Sequence, residues 1–276
     1  MIQPTTLQFD EFRQLLTPRA RDAHKGMFGH ALIVGGHHGM IGAARLASEA
    51  ALRVGAGLVS VGTQAKSITS IVSERPEIMA HAVKKATDLK PLLKKANVIV
   101  LGTGLGQTNW SQQLFKQVLS APQPKVLDAD ALNLLAKHAR ISENWILTPH
   151  PGEAARLLDC TIKDIQANRI KAVKALQKQY GGVVVLKGAG SLVCSKQSLR
   201  RCSAGNPGMA SGGMGDVLSG VIGGLLAQHF NLQQAAECGV YLHAVAADKA
   251  ASLHGGERGL LASDLMPYLH QLINES

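Results

Sequence analysis

VIVLGTGLGQTNWSQQLFKQVLSAPQPKVLDADALNLLAKH, residues 98–138, repeats one pattern twice. An apolar run, first Val98–Leu101 and then Lys125–Leu127, reads as a buried strand. A turn rich in Gly or Asp follows, and apolar residues then recur at helical period over Trp110–Leu119 and Ala129–His138. Strand, turn and helix in repetition build parallel sheets, because parallel neighbours need a crossover and the helix supplies it. The pattern extends both ways. Ala31–Val34 and Leu58–Val61 lie upstream, Trp145–Leu147 and Val183–Leu186 downstream, with helix-period segments at Ile41–Val54, Thr161–Tyr180, Asp216–Gln228 and Gln233–Ala251. The sequence therefore predicts an α/β fold, a mostly parallel central sheet with helices on both faces. Leu192–Cys194 with Leu199–Cys202 reads as a hairpin that adds antiparallel edge strands. No low-complexity linker divides the chain, so residues 1–276 are expected to form one domain.

Each polar motif follows the carboxyl end of a strand: GGHHGM from Gly35, GTGLGQ from Gly102, DADALN from Asp128, TPHPGE from Thr148 and KGAGS from Lys187. In a parallel sheet those ends share one edge, outside which ligands bind, so the motifs should converge on one crevice.

Composition narrows the ligand. The formal charge is +10, from 29 Lys and Arg against 19 Asp and Glu, which suits an anionic small molecule or nucleic acid. Basic residues are scattered, with short clusters only at Lys84-Lys85, Lys94-Lys95 and Arg200-Arg201. Aromatics, at 4%, are too few for the stacking platforms of single-strand binders, and no nucleic-acid partner is expected. Cys160, Cys194, Cys202 and Cys238 show neither a CxxC pair nor zinc-ligand spacing and read as reduced thiols of a cytoplasmic protein. The N-terminus lacks a basic segment followed by an apolar run, and no apolar stretch reaches the about 18 residues of a membrane span. Neither export nor a membrane partner is expected.

The segment from Gly205 to Ser219, GNPGMASGGMGDVLS, carries the chemistry. Val217, Leu218, Val221, Ile222, Leu225 and Leu226 recur with helical period after Asp216, so a glycine loop opens onto a helix N-terminus, where free amides attract anions. Asp216 beside such an anion site either caps the helix or has a chemical role. Gly220, Gly223 and Gly224 lower helix propensity and are expected to allow close packing on the sheet.

The remaining motifs keep alternatives open. GTGLGQ is GxGxG rather than GxGxxG, and no Walker A loop occurs, so a nucleotide would be held another way. KGAGS could cradle an adenylate phosphate or ribose, or form a surface turn. His150, stiffened between two prolines, is a ligand contact or a structural turn residue. His24, His30, His37 and His38 lack metal-ligand spacing and read as solvated or substrate-contacting. Asp128 and Asp130 could meet Mg²⁺ through water, with Asp130 favoured as the cap of the following helix; Asn133, one turn on, could face the crevice.

HKGMFGHALIVGG, GMIGAARLASEAALRVGAGLVSVGT, VIVLGTGLGQ, VLDADALNLLA, ILTPHPGEAARLL, VVLKGAGSLV and GNPGMASGGMGDVLSGVIGGLLAQ together resemble the ADP-dependent NAD(P)H-hydrate dehydratase family, from about His24 to beyond His243. The resemblance implies a ribokinase-like fold and cofactor repair: the S epimer of NADHX or NADPHX is dehydrated to NADH or NADPH while ADP becomes AMP and phosphate. It implies Asp216 as the catalytic acid-base group, Ala43, Gly106, His150 and Asp216 against the hydrate, and Lys187, Gly188, Ala189, Gly190, Ser191 and Gly215 around ADP or AMP. Backbone amides of Gly213, Met214 and Gly215 would form the anion hole, with Asn133 and Asn206 as further crevice candidates. The family commonly carries Thr where this chain has Met214, which removes a hydroxyl from that hole. Mg²⁺ would arrive with ADP, and no protein metal site is expected. The resemblance further implies a homotetramer and, since no epimerase domain is expected in this chain, a separate epimerase upstream. Two rivals share these features: a ribokinase-like kinase acting on a hydroxymethyl group, and a non-catalytic nucleotide sensor.

Overall fold

The computed structural model describes residues 3–73, 75–253 and 255–275, and in it the strands join into one sheet. In chain order they are β1 (Thr5–Thr6), β2 (His30–Val34), β3 (Leu58–Thr63), β4 (Met79–Ala82), β5 (Val98–Leu101), β6 (Lys125–Leu127), β7 (Trp145–Leu147), β8 (Val183–Leu186), β9 (Leu192–Cys194) and β10 (Leu199–Arg201). Their spatial order is β1-β10-β9-β8-β7-β6-β5-β2-β3-β4. Neighbours from β4 through β8 pair in parallel, while β9 is antiparallel to both β8 and β10. The predicted hairpin is present but is not the edge, because β1 returns to pair in parallel with β10. Two threonines carry no apolar run, so β1 was invisible in the sequence; so was β4, whose residues MAHA are only partly buried.

The helices are α1 (Asp10–Arg13), α2 (Ile41–Arg53), α3 (Ile68–Val72), α4 (Lys90–Lys95), α5 (Asn109–Leu119), α6 (Asp130–Lys137), α7 (Pro151–Leu158), α8 (Ile162–Ala167), α9 (Arg169–Tyr180), α10 (Met214–Ala227), α11 (Leu232–Leu253) and α12 (Leu265–Leu272). Successive strand residues point to opposite faces, so Ala31 and Ile33 join one apolar core with α2, α10, α11 and α12, and Leu32 and Val34 join another with α4 to α9. Both faces of β2, β5 and β8 are therefore buried, which is why these strands are continuously apolar. The helix expected over Thr161–Tyr180 is two helices. Asn168 leaves helical geometry (φ −151°, ψ 78°), and its side chain accepts from the Lys171 amide at 2.9 Å, starting α9 afresh.

The glycines of α10 serve helix packing more than sheet packing. Gly223 alone meets the sheet, at Val100, as expected. A Cβ on Gly220 would run into the Ala47 carbonyl, and one on Gly224 would strike Ala51 and Val54, so both faces are pressed against α2. That contact places the α10 N-terminus over the sheet edge. No described helix is long and apolar enough to cross a membrane.

Candidate active site

The sheet reverses its winding at β2, which has β3 on one side and β5 on the other. Loops leaving such adjacent strands diverge and open a crevice. Here the 35–40 and 102–106 loops line it and are stitched together: the Gly36 amide donates to Thr103 O at 3.0 Å and the His37 amide to Gly104 O at 2.6 Å. Gly104 (φ +61°) could not carry a side chain, since a Cβ would strike Met40 O and come within 3.2 Å of the Ala43 Cβ on α2. Ala43, Gly106 and His37 thus share one wall, with the His37 ring 5.8 Å from Trp110. His30 is elsewhere. It is buried at the amino end of β2 with Nε2 2.8 Å from Ser60 Oγ, so the expectation of a solvated or substrate-contacting imidazole fails there.

Asp130 is not the cap of α6. That position belongs to Ala129, in a strained positive-φ conformation (φ 47°, ψ −114°), and the Asp130 carboxylate instead accepts from the Gly106 amide at 2.7 Å. The twist at Ala129 turns Asp128 toward the crevice centre and Asp130 toward the β5 loop. Asp128, almost wholly buried, accepts from Lys187 Nζ at 2.7 Å and from Ser219 Oγ at 2.8 Å. Lys187 also lies 3.8 Å from Glu153. Burial alone would lower the Lys187 pKa, but the carboxylates of Asp128, Glu153 and Asp216 outweigh it and raise the value above the ordinary one.

His150 resolves as the cap of α7. Its Nδ1 accepts from the Gly152 amide at 2.9 Å, while Glu153 Oε2 accepts from the His150 amide at 2.7 Å, a capping box with His in the usual Ser or Thr place. Burial, then the nearby Lys187, lowers the His150 pKa. Its side chain remains half exposed, with Nε2 3.4 Å from Glu153 Oε1. Glu153, buried and close to Asp128, has its carboxyl pushed up to about 7, burial being the larger cause.

Gly213 (φ +92°) is the N-cap of α10, so Asp216 in the first turn is not capping the helix. Its carboxyl is raised to about 7, first by burial and then by Asp128. A Cβ on Gly215 would lie 3.2 Å from Lys187 Nζ and 3.7 Å from Asp128 Oδ2, which puts the helix N-terminus directly against this charged cluster. Gly212 faces open space. The Met214 side chain is buried in the apolar core, so residue 214 can contribute only its backbone to an anion hole. Beneath it His243 is buried and hydrogen-bonds the Met214 backbone; burial lowers its pKa to about 4, and Nε2 has no partner.

The Gly188–Ser191 loop is held from outside by Arg169, which donates to Ala189 O at 3.0 Å and Leu186 O at 3.1 Å, while Ser191 Oγ donates to Gly188 O at 3.0 Å. Asn206 is not aimed into the crevice: it donates to Asp248 at 2.8 Å and accepts from the Gly208 amide at 3.0 Å, pinning the glycine loop to α11. Asn133 Oδ1 accepts from Arg156 at 3.0 Å, on the flank between α6 and α7.

Several supporting residues escaped the sequence reading. Ser219 lies three residues after Asp216, on the same helix face, and Glu153 three after His150; both spacings were available as signals. Arg169, Asp248 and His243 act across long sequence separations and left no local trace. Among the described residues no three acid, His or Cys side chains share a cation position, so a Mg²⁺ ion would depend on nucleotide phosphates and water for its ligands.

The model of the NAD(P)H-hydrate dehydratase family matches residues 31–271. The chain is 56% identical to a bifunctional NAD(P)H-hydrate repair enzyme of Coxiella burnetii, over 94% of this chain and 53% of that protein. It is 40% identical to an ADP-dependent (S)-NAD(P)H-hydrate dehydratase of Neisseria meningitidis, over 95% of this chain and 91% of that one. It thus spans about half the length of the bifunctional relatives it matches. A crystal structure of an ADP/ATP-dependent NAD(P)H-hydrate dehydratase from Bacillus subtilis, co-crystallized with ATP and Mg²⁺, superposes with TM-score 0.88 at 32% identity, covering 99% of this chain and 98% of that one. Arabidopsis thaliana ribokinase, at 12% identity and TM-score 0.57 over 90% of this chain and 99% of that one, shares the fold alone. The fold is ribokinase-like, and the chain belongs to the NAD(P)H-hydrate dehydratase family.

Proposed function

We propose that this chain performs ADP-dependent dehydration of the S epimer of NADHX or NADPHX, yielding NADH or NADPH with AMP and phosphate. The observation that carries the reading is Asp216: a mostly buried carboxyl raised to about 7, in the first turn of α10 behind a glycine loop, and facing the Lys187 cluster. A group so poised can take a proton at neutral pH.

The hydrated ring lies in the crevice bounded by Ala43, Gly106 and His150, with its hydroxyl at Asp216. ADP lies along the Gly188–Ser191 loop, with Lys187 and Gly215 at its phosphates. Asp216 takes the hydroxyl proton as the oxygen attacks the terminal phosphoryl group, and the bond to AMP breaks. Amides of Gly213, Met214 and Gly215 hold the transferring charge, supported by the positive end of α10. The phosphorylated ring then loses phosphate and a proton from the neighbouring carbon, restoring the dihydronicotinamide. Lys187 neutralises the phosphates at entry while Asp128 and Ser219 hold it in place. Mg²⁺ would accompany the nucleotide and shield its phosphate charge, with ligands from the phosphates and water.

The chain acts as one dehydratase domain in the cytoplasm, assembled as a homotetramer and fed by an epimerase that converts the R to the S hydrate. The test supplies NADHX with ADP or ATP and follows reduced-nicotinamide absorbance and AMP together. Equal gains in both with ADP support the proposal. A stable phosphorylated product instead would identify a kinase of the same fold.

A further inference from the structure

Beyond Gly106, on the outer flank of α6 and α7, lies a hollow of about 400 Å³ lined by Gln107, Asn133, Ala136, Lys137 and Arg156. Exposed Lys and Arg side chains ordinarily move freely or lie against a carboxylate. Here each instead meets a neutral side-chain amide. Arg156 Nη1 donates to Asn133 Oδ1 at 3.0 Å, and Lys137 Nζ donates to Gln107 Oε1 at 2.8 Å. Neither makes an ion pair among the described residues. Glu153, three residues before Arg156, has its carboxyl turned to the His150 amide. Two positive charges, each hydrogen-bonded to a neutral amide and neither within salt-bridge distance of a carboxylate among the described residues, therefore face one hollow. Holding rotamer-rich side chains this way has an entropic cost that a bound anion would offset.

Its position narrows the anion. Gln107 follows Gly106, and Asn133 and Lys137 lie on α6 one and two turns past Asp130, which holds the Gly106 amide. From Asp130 to Lys137 the helix advances about 10 Å. The hollow thus begins one residue past Gly106, on the β5 to β7 flank and away from the Gly188–Ser191 loop after β8. We infer that it takes a phosphate group on the adenosine half of the hydrated dinucleotide, so that Lys137 and Arg156 set substrate affinity without touching the reacting ring. The inference rests on the reaction proposed above.

The experiment measures kcat and KM for NADHX, NADPHX and ADP in the parent protein, Arg156→Ala, Lys137→Ala and Arg156→Lys, with thermal melts confirming folding. Each Ala variant should raise the hydrate KM about tenfold, the equivalent of about 1.4 kcal/mol, with kcat and the ADP KM held within about twofold. Arg156→Lys should recover part of the loss. A rise confined to NADPHX assigns the hollow to the 2′-phosphate, and an equal rise for both hydrates assigns it to the diphosphate bridge. Unchanged hydrate KM values in both Ala variants overturn the inference, as does a fall in kcat alone. An inactive parent would remove the proposed reaction instead. Titration with NADP⁺ then decides the hollow separately, weaker binding in the Ala variants supporting it and equal binding overturning it.

Discussion

Replacing Asp216 with Asn should make the protein more stable at alkaline pH. A carboxyl displaced from its ordinary 3.8 to about 7 favours the neutral form in the folded state by about 4 kcal/mol, at 1.36 kcal/mol per pH unit. The native state then binds the proton more tightly than the unfolded chain. Stability from this group is complete below about pH 4, declines as pH rises and is lost above about pH 7. Asn keeps the shape without the charge, so at pH 8 the variant should gain up to about 4 kcal/mol, on the order of 8 °C in Tm for a domain of this size. At pH 4 the two proteins should melt nearly together. Thermal melts of both proteins from pH 4 to pH 8 provide the assay, and the difference between them reports Asp216 together with its coupling to Asp128 and Glu153. Parallel curves with no gain at pH 8 would refute the claim that this carboxylate is buried at an energetic cost.

Other outcomes follow from the same geometry. Gly220→Ala drives a methyl into the Ala47 carbonyl and should destabilise the protein by about 3 kcal/mol or more, read from denaturant midpoints; a neutral effect would deny the close approach of α2 and α10. The kcat/KM profile should fall on the acid side with an apparent pKa near 7, because Asp216 must be deprotonated to take a proton; a flat profile down to pH 5 would contradict that role. Arg169→Ala releases the Gly188–Ser191 loop and should raise the ADP KM by about tenfold while leaving the hydrate KM unchanged.

The parallel sheet was legible because β2, β5 and β8 are buried on both faces and must be continuously apolar. The edge strands β1 and β4 lacked that constraint and left no pattern. In the site, strand-end placement correctly brought GTGLGQ, DADALN, TPHPGE and KGAGS to one edge, and glycine spacing located the loop before Asp216. What stayed hidden depended on side-chain direction. The strained Ala129 sends Asp130 to Gly106 rather than to its own helix, and Asn206 turns away to Asp248; neither choice is written in local sequence. His150 caps α7 through one ring nitrogen, the structural one of its two readings, and half of its side chain stays exposed.

The central claim is that Asp216 takes the hydroxyl proton during phosphoryl transfer. Its most direct test compares NADHX dehydration by the parent and by Asp216→Asn, with ADP binding measured on both. Turnover should fall by about 10²–10⁴-fold in Asp216→Asn with nucleotide binding retained. Equal dehydration rates in the two proteins would contradict it.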